Sequence, residues 1–401
     1  MPWRNNVIEF DFEEYCCGCG ACATVCPVDA IAMKFDKNGF PFPAVDSNKC
    51  INCKQCDRVC PHLNNILEQP VQQEQKDYSA WLFASKDNDA KMRSSSGAAF
   101  FDMACAVIAD GGAVCGCAWD ENLLNAKHIV VDTFDNLTLL QGSKYLQSII
   151  DVNVYKEIEK RLKHGQTVLF SGTPCQCEAA YRYMSITARK YMQRFLLIAV
   201  ICHGVSAPAV WRTYKEWMEK KEGEPLLSVN FRDKSREGYK KSYCKFQFKG
   251  HTTFLPTYLP SSPYMESTIV YNLALRKSCS HCECKGIRKT IDILIGDWYA
   301  ANTGEGIWGT SCVVPCTEIG MKACKKYLRN LRSISMSEII KANPMIVRSS
   351  EINPLRDTFL KNNSVEVWDH VERYYPAKYK IKKVVIKMGI YQMLKDILSK
   401  F

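Results

Sequence analysis

Residues 16–27 read CCGCGACATVCP, five cysteines in twelve positions, and the fold turns on what so many thiols are for. The chain has 401 residues with 22 Cys, 47% hydrophobic and 24% charged residues. Apart from the cysteines this is an ordinary globular composition, long enough for two or three domains. The opening MPWRNNVIEFDFEEY lacks the apolar stretch of a secretion signal, and no run approaches the ~20 apolar residues that span a bilayer. A cytoplasmic location is therefore expected. Thiols stay reduced there, so a cysteine-rich chain binds metal or does redox chemistry sooner than it builds disulfides.

Spacing makes this specific. Cys16, Cys19, Cys22 and Cys26 precede Pro27 as C-x2-C-x2-C-x3-C-P, and Cys50, Cys53, Cys56 and Cys60 precede Pro61 in the same pattern 34 residues later. This is the spacing of a bacterial two-cluster ferredoxin, in which three thiolates hold one 4Fe-4S cube and the fourth reaches the other. The expected sets are Cys16, Cys19, Cys22 with Cys60, and Cys50, Cys53, Cys56 with Cys26. Paired zinc ribbons would need two C-x2-C pairs per site and would leave the third cysteine and the prolines unexplained. Cys17, out of register, reads as a bystander.

The formal charge of +11 falls to about +7 once two clusters of about −2 each are bound. A basic protein of this kind suits an acidic electron donor or a phosphate-bearing cofactor. No nucleic-acid motif or aromatic-interleaved basic stripe occurs, so nucleic acid is not an expected partner.

The polar, Gln-rich HLNNILEQPVQQEQKDYS after Pro61 reads as a linker. Four regions are expected: a two-cluster ferredoxin domain at 1–75, an α/β flavin-binding domain at 76–160, a second α/β domain at 161–330 with a third-cluster and flavin or substrate site, and a helical basic tail at 331–401. SAWLFAS, GGAVCGCAWD and AKHIVVDTF read as strands, with a helix in GAAFFDMACAVIADGG. Further on, helices in DVNVYKEIEKRLKHG, CQCEAAYRYMSI and PAVWRTYKEWMEKKEG alternate with the apolar strands TVLFSG and FLLIAVICHG. The fold class expected is a ferredoxin-like module followed by a mixed α/β domain with a largely parallel, buried sheet.

Ligands of open α/β sheets bind beyond the carboxyl ends of the strands. Three such ends carry unusual residues: Gly172, Thr173 and Cys175; Cys202 and His203; and Gly296, Asp297 and Trp298. Cys279, Cys282 and Cys284 lie shortly before the last. If these ends converge, Cys175, Cys202, Cys279 and Cys282 make a third iron–sulfur site. The plain alternative is buried small hydrophobes at Cys175 and Cys202 and a chance cluster or zinc half-site at CSHCEC.

RSSSGAAF, QGSKYLQS, GTPCQCEA, ICHGVSAPAVW and CSHCECKGIRKTIDILIGDW, in this order behind the ferredoxin motifs, resemble the family of the coenzyme F-420 hydrogenase/dehydrogenase beta subunit over about residues 1–325. The resemblance implies an iron–sulfur flavoprotein that passes electrons among clusters, FAD and an organic two-electron partner, and it favours the third cluster. In different members that partner is the deazaflavin F-420 or a tetrapyrrole hydroxymethyl group. Clusters move single electrons and hydride chemistry moves two, so a flavin is the natural converter. Its diphosphate needs backbone N–H groups, hydroxyls and a cation. Arg93, Ser94, Ser95, Ser96 and Gly97 offer all three, followed by Gly142, Ser143, Lys144 and Tyr145, with Gly172 and Thr173 also cofactor-binding candidates. Each has a bland reading as a helix N-cap loop or turn.

His203 and Asp297 are the catalytic candidates, the histidine as a neutral proton donor to substrate; a structural role is the alternative for both. The resemblance departs at Cys316, where relatives tend to carry a basic residue, so an anion contact is expected to be missing and the deazaflavin assignment is weakened. Cys312 and Cys316 read as core or surface thiols, and GEGIWG (304–309) as a lid. The terminal YPAKYKIKKVVIKMGIYQMLKDILSKF reads as a helix packed on its own domain, with contact to an anionic membrane surface or a partner as the alternative. The function expected is a reductase taking electrons from ferredoxin or another low-potential donor to a small organic acceptor. The alternatives are an electron-transfer subunit serving a partner redox subunit, or a deazaflavin-dependent dehydrogenase.

Overall fold

The computed structural model describes residues 12–65, 78–257, 262–298, 307–377 and the single residue 385. Most of the expected linker, half of the lid and most of the basic terminal segment lie outside these residues.

The N-terminal module is built from the antiparallel pair β1 (Ile31–Phe35) and β2 (Pro41–Val45) and the two short helices Ala21–Val25 and Gln55–Val59. Each helix sits inside one cysteine motif and begins after a residue in the left-handed region, Gly20 at φ 78° and Lys54 at φ 55°. Each ends at the fourth cysteine of its motif, extended at Cys26 and Cys60, because the proline that follows disfavours helix there.

The rest is organised by one nine-stranded sheet. In chain order its strands are β3 (Ala80–Phe83), β4 (Ala113–Trp119), β5 (Ala126–Val131), β6 (Ser148–Ile149), β7 (Val168–Gly172) and β8 (Phe195–Val200). Between β8 and the next sheet strand a three-stranded antiparallel sheet is inserted, β9 (Leu226–Asp233), β10 (Tyr243–Phe248) and β11 (Thr252–Pro256). The large sheet is completed by β12 (Ile293–Asp297), β13 (Ser311–Pro315) and β14 (Arg332–Ile334), in the order β14-β3-β13-β12-β8-β7-β4-β5-β6.

The run β12-β8-β7-β4 is parallel, as the apolar strands and intervening helices imply. The β13, β3 and β14 flank and the β4–β5 pair are antiparallel. Strands from both expected α/β regions, 76–160 and 161–330, interleave in this sheet, and β14 joins it from the region expected to be a helical tail.

Alternation along the strands divides the core. Phe170, Leu197, Ala199, Leu294 and Val314 face helices Val152–Lys163 and Pro174–Thr187, while Leu169, Leu196, Ile198, Ile293 and Val313 face Ala99–Ala109 and Glu318–Tyr327. Cys19, Ala21 and Val59 of the ferredoxin module join the first of these cores. The inserted sheet has its own aromatic core with helix Pro208–Glu222, centred on Trp211, Tyr214, Phe231 and Tyr264.

Candidate functional site

The first group of thiols forms as the spacing predicts. Cys19 feels the charges of Cys22 and Cys60, and Cys22 those of Cys16 and Cys60, so Cys16, Cys19, Cys22 and Cys60 are neighbours. In the second group Cys56 packs with Cys22 and Cys26, and Cys53 is exposed while Cys50 is partly so.

A clamp from the α/β region fixes the first motif. Arg276, 1% exposed, donates from Nε to the Cys16 carbonyl at 2.6 Å, from one terminal nitrogen to Gln147 at 3.2 Å and from the other to the Pro41 carbonyl at 3.0 Å. Its guanidinium also lies over Phe42 and Phe40. Gln147 donates to the Cys17 carbonyl at 3.2 Å, and the buried Tyr155 hydroxyl to that of Cys19 at 2.8 Å.

Against this motif opens a pocket lined by six cysteines, Cys17, Cys175, Cys202, Cys279, Cys282 and Cys284. The chain arrives there as the strand-end argument requires. Cys175 follows β7 at the start of helix Pro174–Thr187, Cys202 follows β8, and Cys279 and Cys282 come from the loop before β12. The four are mutually close: Cys279 feels Cys202, Cys282 and Cys175, and Cys202 feels Cys175 and Cys282. Burial pushes the Cys202 thiol up to about 12 and raises Cys279 also, so these two stay protonated until metal displaces their protons, whereas a hydrogen bond from Cys284 lowers Cys282 to about 6. Among the described residues no three side chains gather tightly enough to hold a single metal ion. A cube takes one thiolate at each of four separate irons and asks for a looser set.

The loop bearing Cys282 and Cys284 is anchored from the helix bearing Cys175. The fully buried Glu178 pairs with Arg288 at 3.2 Å and accepts from Thr290, while Arg288 donates to the Glu283 carbonyl at 2.9 Å. Arg182 approaches Glu178 at 2.7 Å, close enough for an ion pair but poorly aligned for a hydrogen bond.

The two serine loops also meet. The Ser95 and Ser143 hydroxyls are 2.8 Å apart, the Ser143 amide donates to Ser95 Oγ at 2.9 Å, and Arg93 Nε donates to Gln141 at 3.2 Å. Gln141 donates to Ser94 Oγ at 3.1 Å, and Gly142 turns the second loop at φ 77°. Ser96 donates to the Thr310 carbonyl at 2.5 Å. Gly97 is demanded by packing, since a Cβ there would sit 2.3 Å from the Phe83 carbonyl oxygen. Lys144 donates to the carbonyls of Leu139 and Gln141, and burial lowers its pKa to about 8.

Two further cations join this edge from β9 and the turn after it. Lys234, fully buried, donates to the carbonyls of Ser96 at 2.9 Å and Trp308 at 2.6 Å, and burial lowers its pKa to about 7. Arg232 pairs with Asp297 at 3.2 Å and donates to the Tyr145 hydroxyl at 3.5 Å. Serine hydroxyls and a guanidinium at one sheet edge are donors that suit an anionic cofactor such as a flavin dinucleotide, with Lys234 bracing the serine loop.

Thr173 belongs to the cysteine pocket, with Oγ1 3.2 Å from Cys175 Sγ, and Gly172 ends the strand leading to it. His203 lines the same pocket, its Nε2 2.7 Å from Asn272 Oδ1, and burial lowers its pKa. Asp297 lies in the other group. Cys312 is core. Cys316 lies beyond the far end of β13 from Ser311, about 15 Å along the strand.

Sequence reasoning did not find Arg276, Gln147, Tyr155, Arg232 and Lys234. FRDK, with two cations around a carboxylate at a strand end, was the one local signal. Cys17, read as a bystander, lines the pocket.

The ferredoxin module docked on an α/β sheet with a second gathering of thiols defines an iron–sulfur electron-transfer protein. Residues 165–340 match the family described as the C terminus of the coenzyme F420 hydrogenase/dehydrogenase beta subunit, and residues 15–64 match the 4Fe-4S dicluster domain. Residues 165–340 are thus similar to this hydrogenase/dehydrogenase family, and residues 15–64 carry the two-cluster module. It is 24% identical over 328 residues to the F subunit of the F(420)H(2) dehydrogenase of Methanosarcina mazei, covering 79% of this chain and 83% of that one. Over 65 residues, 16% of this chain and 82% of the relative, it is 42% identical to an uncharacterized ferredoxin of Methanocaldococcus jannaschii. Among solved structures, a chain of the F420-reducing NiFe hydrogenase complex of Methanosarcina barkeri aligns at 13% identity with a TM-score of 0.44, covering 74% of this chain and 92% of that one. No helix among the described residues is long and apolar enough to cross a membrane.

Proposed function

We propose that the chain is a flavin-dependent oxidoreductase that takes electrons from a low-potential donor such as reduced ferredoxin and delivers them to a small organic acceptor. The carrying observation is the convergence of Cys175, Cys202, Cys279 and Cys282 in one pocket against the first ferredoxin motif. In this reading Cys16, Cys19, Cys22 and Cys60 hold one 4Fe-4S cluster, Cys50, Cys53, Cys56 and Cys26 a second, and the pocket quartet a third.

The second set has the exposed Cys53 and is the entry point. The first is buried at the domain junction, and the third lies beyond it. FAD, when bound, converts single electrons to pairs. Ser95 and Ser143 bind its diphosphate, with Arg93 and Gly142 supporting the two loops and Lys234 holding the Ser96 and Trp308 carbonyls beside them. Arg232, held by Asp297, orients the Tyr145 hydroxyl toward the same group. His203, neutral and tied to Asn272, orders the cysteine pocket and is a positioning group in this reading. Asp297 acts by fixing Arg232.

The Methanosarcina mazei relative is by name one subunit of a dehydrogenase, which favours a second reading in which the same relay serves a partner redox subunit, or F420 itself. The deciding measurement is iron and flavin released from anaerobically purified, cluster-loaded protein. The reductase reading expects about twelve irons and about one FAD per chain. Intact clusters with no flavin would leave a cluster-only carrier.

A further inference from the structure

The pocket holds more thiols than a cube uses. Cys17 is the surplus one with a distinctive place: it lines the pocket beside Cys175 and packs against the core that holds Cys19, so its thiol lies between the two. Cys19 belongs to the first ferredoxin set and Cys175 to the pocket set. The backbone at Cys17 is held from both directions, by Gln147 on its own carbonyl and Arg276 on that of Cys16. The Cα that carries this thiol is therefore fixed in place between the two sites.

We infer that Cys17 is a bridging thiol between the first and third iron–sulfur sites, a non-ligand whose S–H group hydrogen-bonds to ligand sulfur and so sets the potential of the centre it donates to. The inference rests on the third-site reading above. Hydrogen bonds to cluster sulfurs stabilise the more negative, reduced form and raise its potential. The single S–H serves one ligand sulfur at a time, and the other contact closes the remaining gap with a polarisable atom. With both clusters bound, an electron supplied by the low-potential donor would pass from the first centre to the third, the first losing one electron and the third gaining one, while Cys17 would keep its proton and its oxidation state.

The test uses the full chain, reconstituted anaerobically, as wild type, Cys17→Ala and Cys17→Ser, with iron content and a potentiometric titration followed by electron paramagnetic resonance. The expected result is an unchanged iron count of about twelve per chain in all three. In Cys17→Ala one centre shifts to more negative potential, and in Cys17→Ser, where a hydroxyl can still donate, most of that shift is restored. Loss of about four irons in Cys17→Ala and Cys17→Ser alike would make Cys17 a ligand and overturn the inference. Potentials unchanged in Cys17→Ala, with about twelve irons present, would overturn it and leave the third site standing. Only about eight irons in the wild type would remove the third site and the bridge together.

Discussion

Replacing Glu178 with leucine should expose how the cysteine pocket is held. Glu178 is fully buried and meets Arg288, Thr290 and Arg182. Leucine fills the volume but leaves the Arg288 guanidinium, 5% exposed, without its carboxylate. Removing one partner of a buried pair costs about 3–5 kcal/mol, because a desolvated charge is left uncompensated. With a urea m-value of about 3 kcal/mol per molar, the unfolding midpoint falls by roughly 1–1.7 M. Arg288 also donates to the Glu283 carbonyl between Cys282 and Cys284, so the loop should loosen with it and the third complement of iron should be lost before the other two. The double variant Glu178→Leu/Arg288→Met removes both charges and should recover most of the midpoint. Anaerobic urea titration with iron analysis reads all three proteins. A Glu178→Leu midpoint within about 0.2 M of wild type, or a double variant no better than the single, would refute the reasoning.

Cys202→Ser should cost about four irons per chain, whereas Cys284→Ser should cost none, measured by iron analysis after anaerobic reconstitution. Because burial lowers Lys234 to about 7 from 10.5, the unfolded chain binds a proton that the folded chain has released between those values, so Lys234 makes folded stability rise with pH across that window. Stability curves of Lys234→Met and wild type should therefore converge as pH rises from 7 toward 10, the gap closing by at most about 1.4 kcal/mol per pH unit. Arg276→Met leaves the carbonyls of Cys16 and Pro41 without their donor and should speed amide exchange across residues 16–20 by at least about tenfold, the equivalent of one lost hydrogen bond of ~1.4 kcal/mol. Gly97→Ala, forcing a Cβ against the Phe83 carbonyl, should cost about 1–3 kcal/mol, read as a lower thermal midpoint.

The local chemistry was legible in the sequence. Thiolate spacing is a local property, and it picked out the dicluster module and set Cys60 beside Cys16, Cys19 and Cys22. The rule that ligands gather beyond carboxyl strand ends brought Cys175 and Cys202 toward Cys279 and Cys282. What escaped was set by long-range approach. Arg276 meets Cys16 across 260 residues, and no periodicity announces such a contact. Cys17 looked idle because motif logic assigns roles by register, whereas its place depends on the pocket opposite. The boundary expected near residue 160 fails as a divider for a topological reason: β4 and β7, on either side of it, are adjacent parallel strands. The cations Lys234 and Arg232 were hidden by the inserted sheet, whose return to the serine loops is a tertiary event.

The clamp of Arg276, Gln147 and Tyr155 has a kinetic corollary. Many redox proteins deliver electrons with a carrier domain that swings on a tether, and their turnover slows as the solvent thickens. Here the first cysteine motif is fastened at three carbonyls to the domain it would serve, with Ala21 and Val59 sunk in the shared core. If the proposed relay operates, its internal hop would cross a fixed gap, so glycerol or sucrose should slow only the encounter with the external donor and leave the intramolecular step untouched.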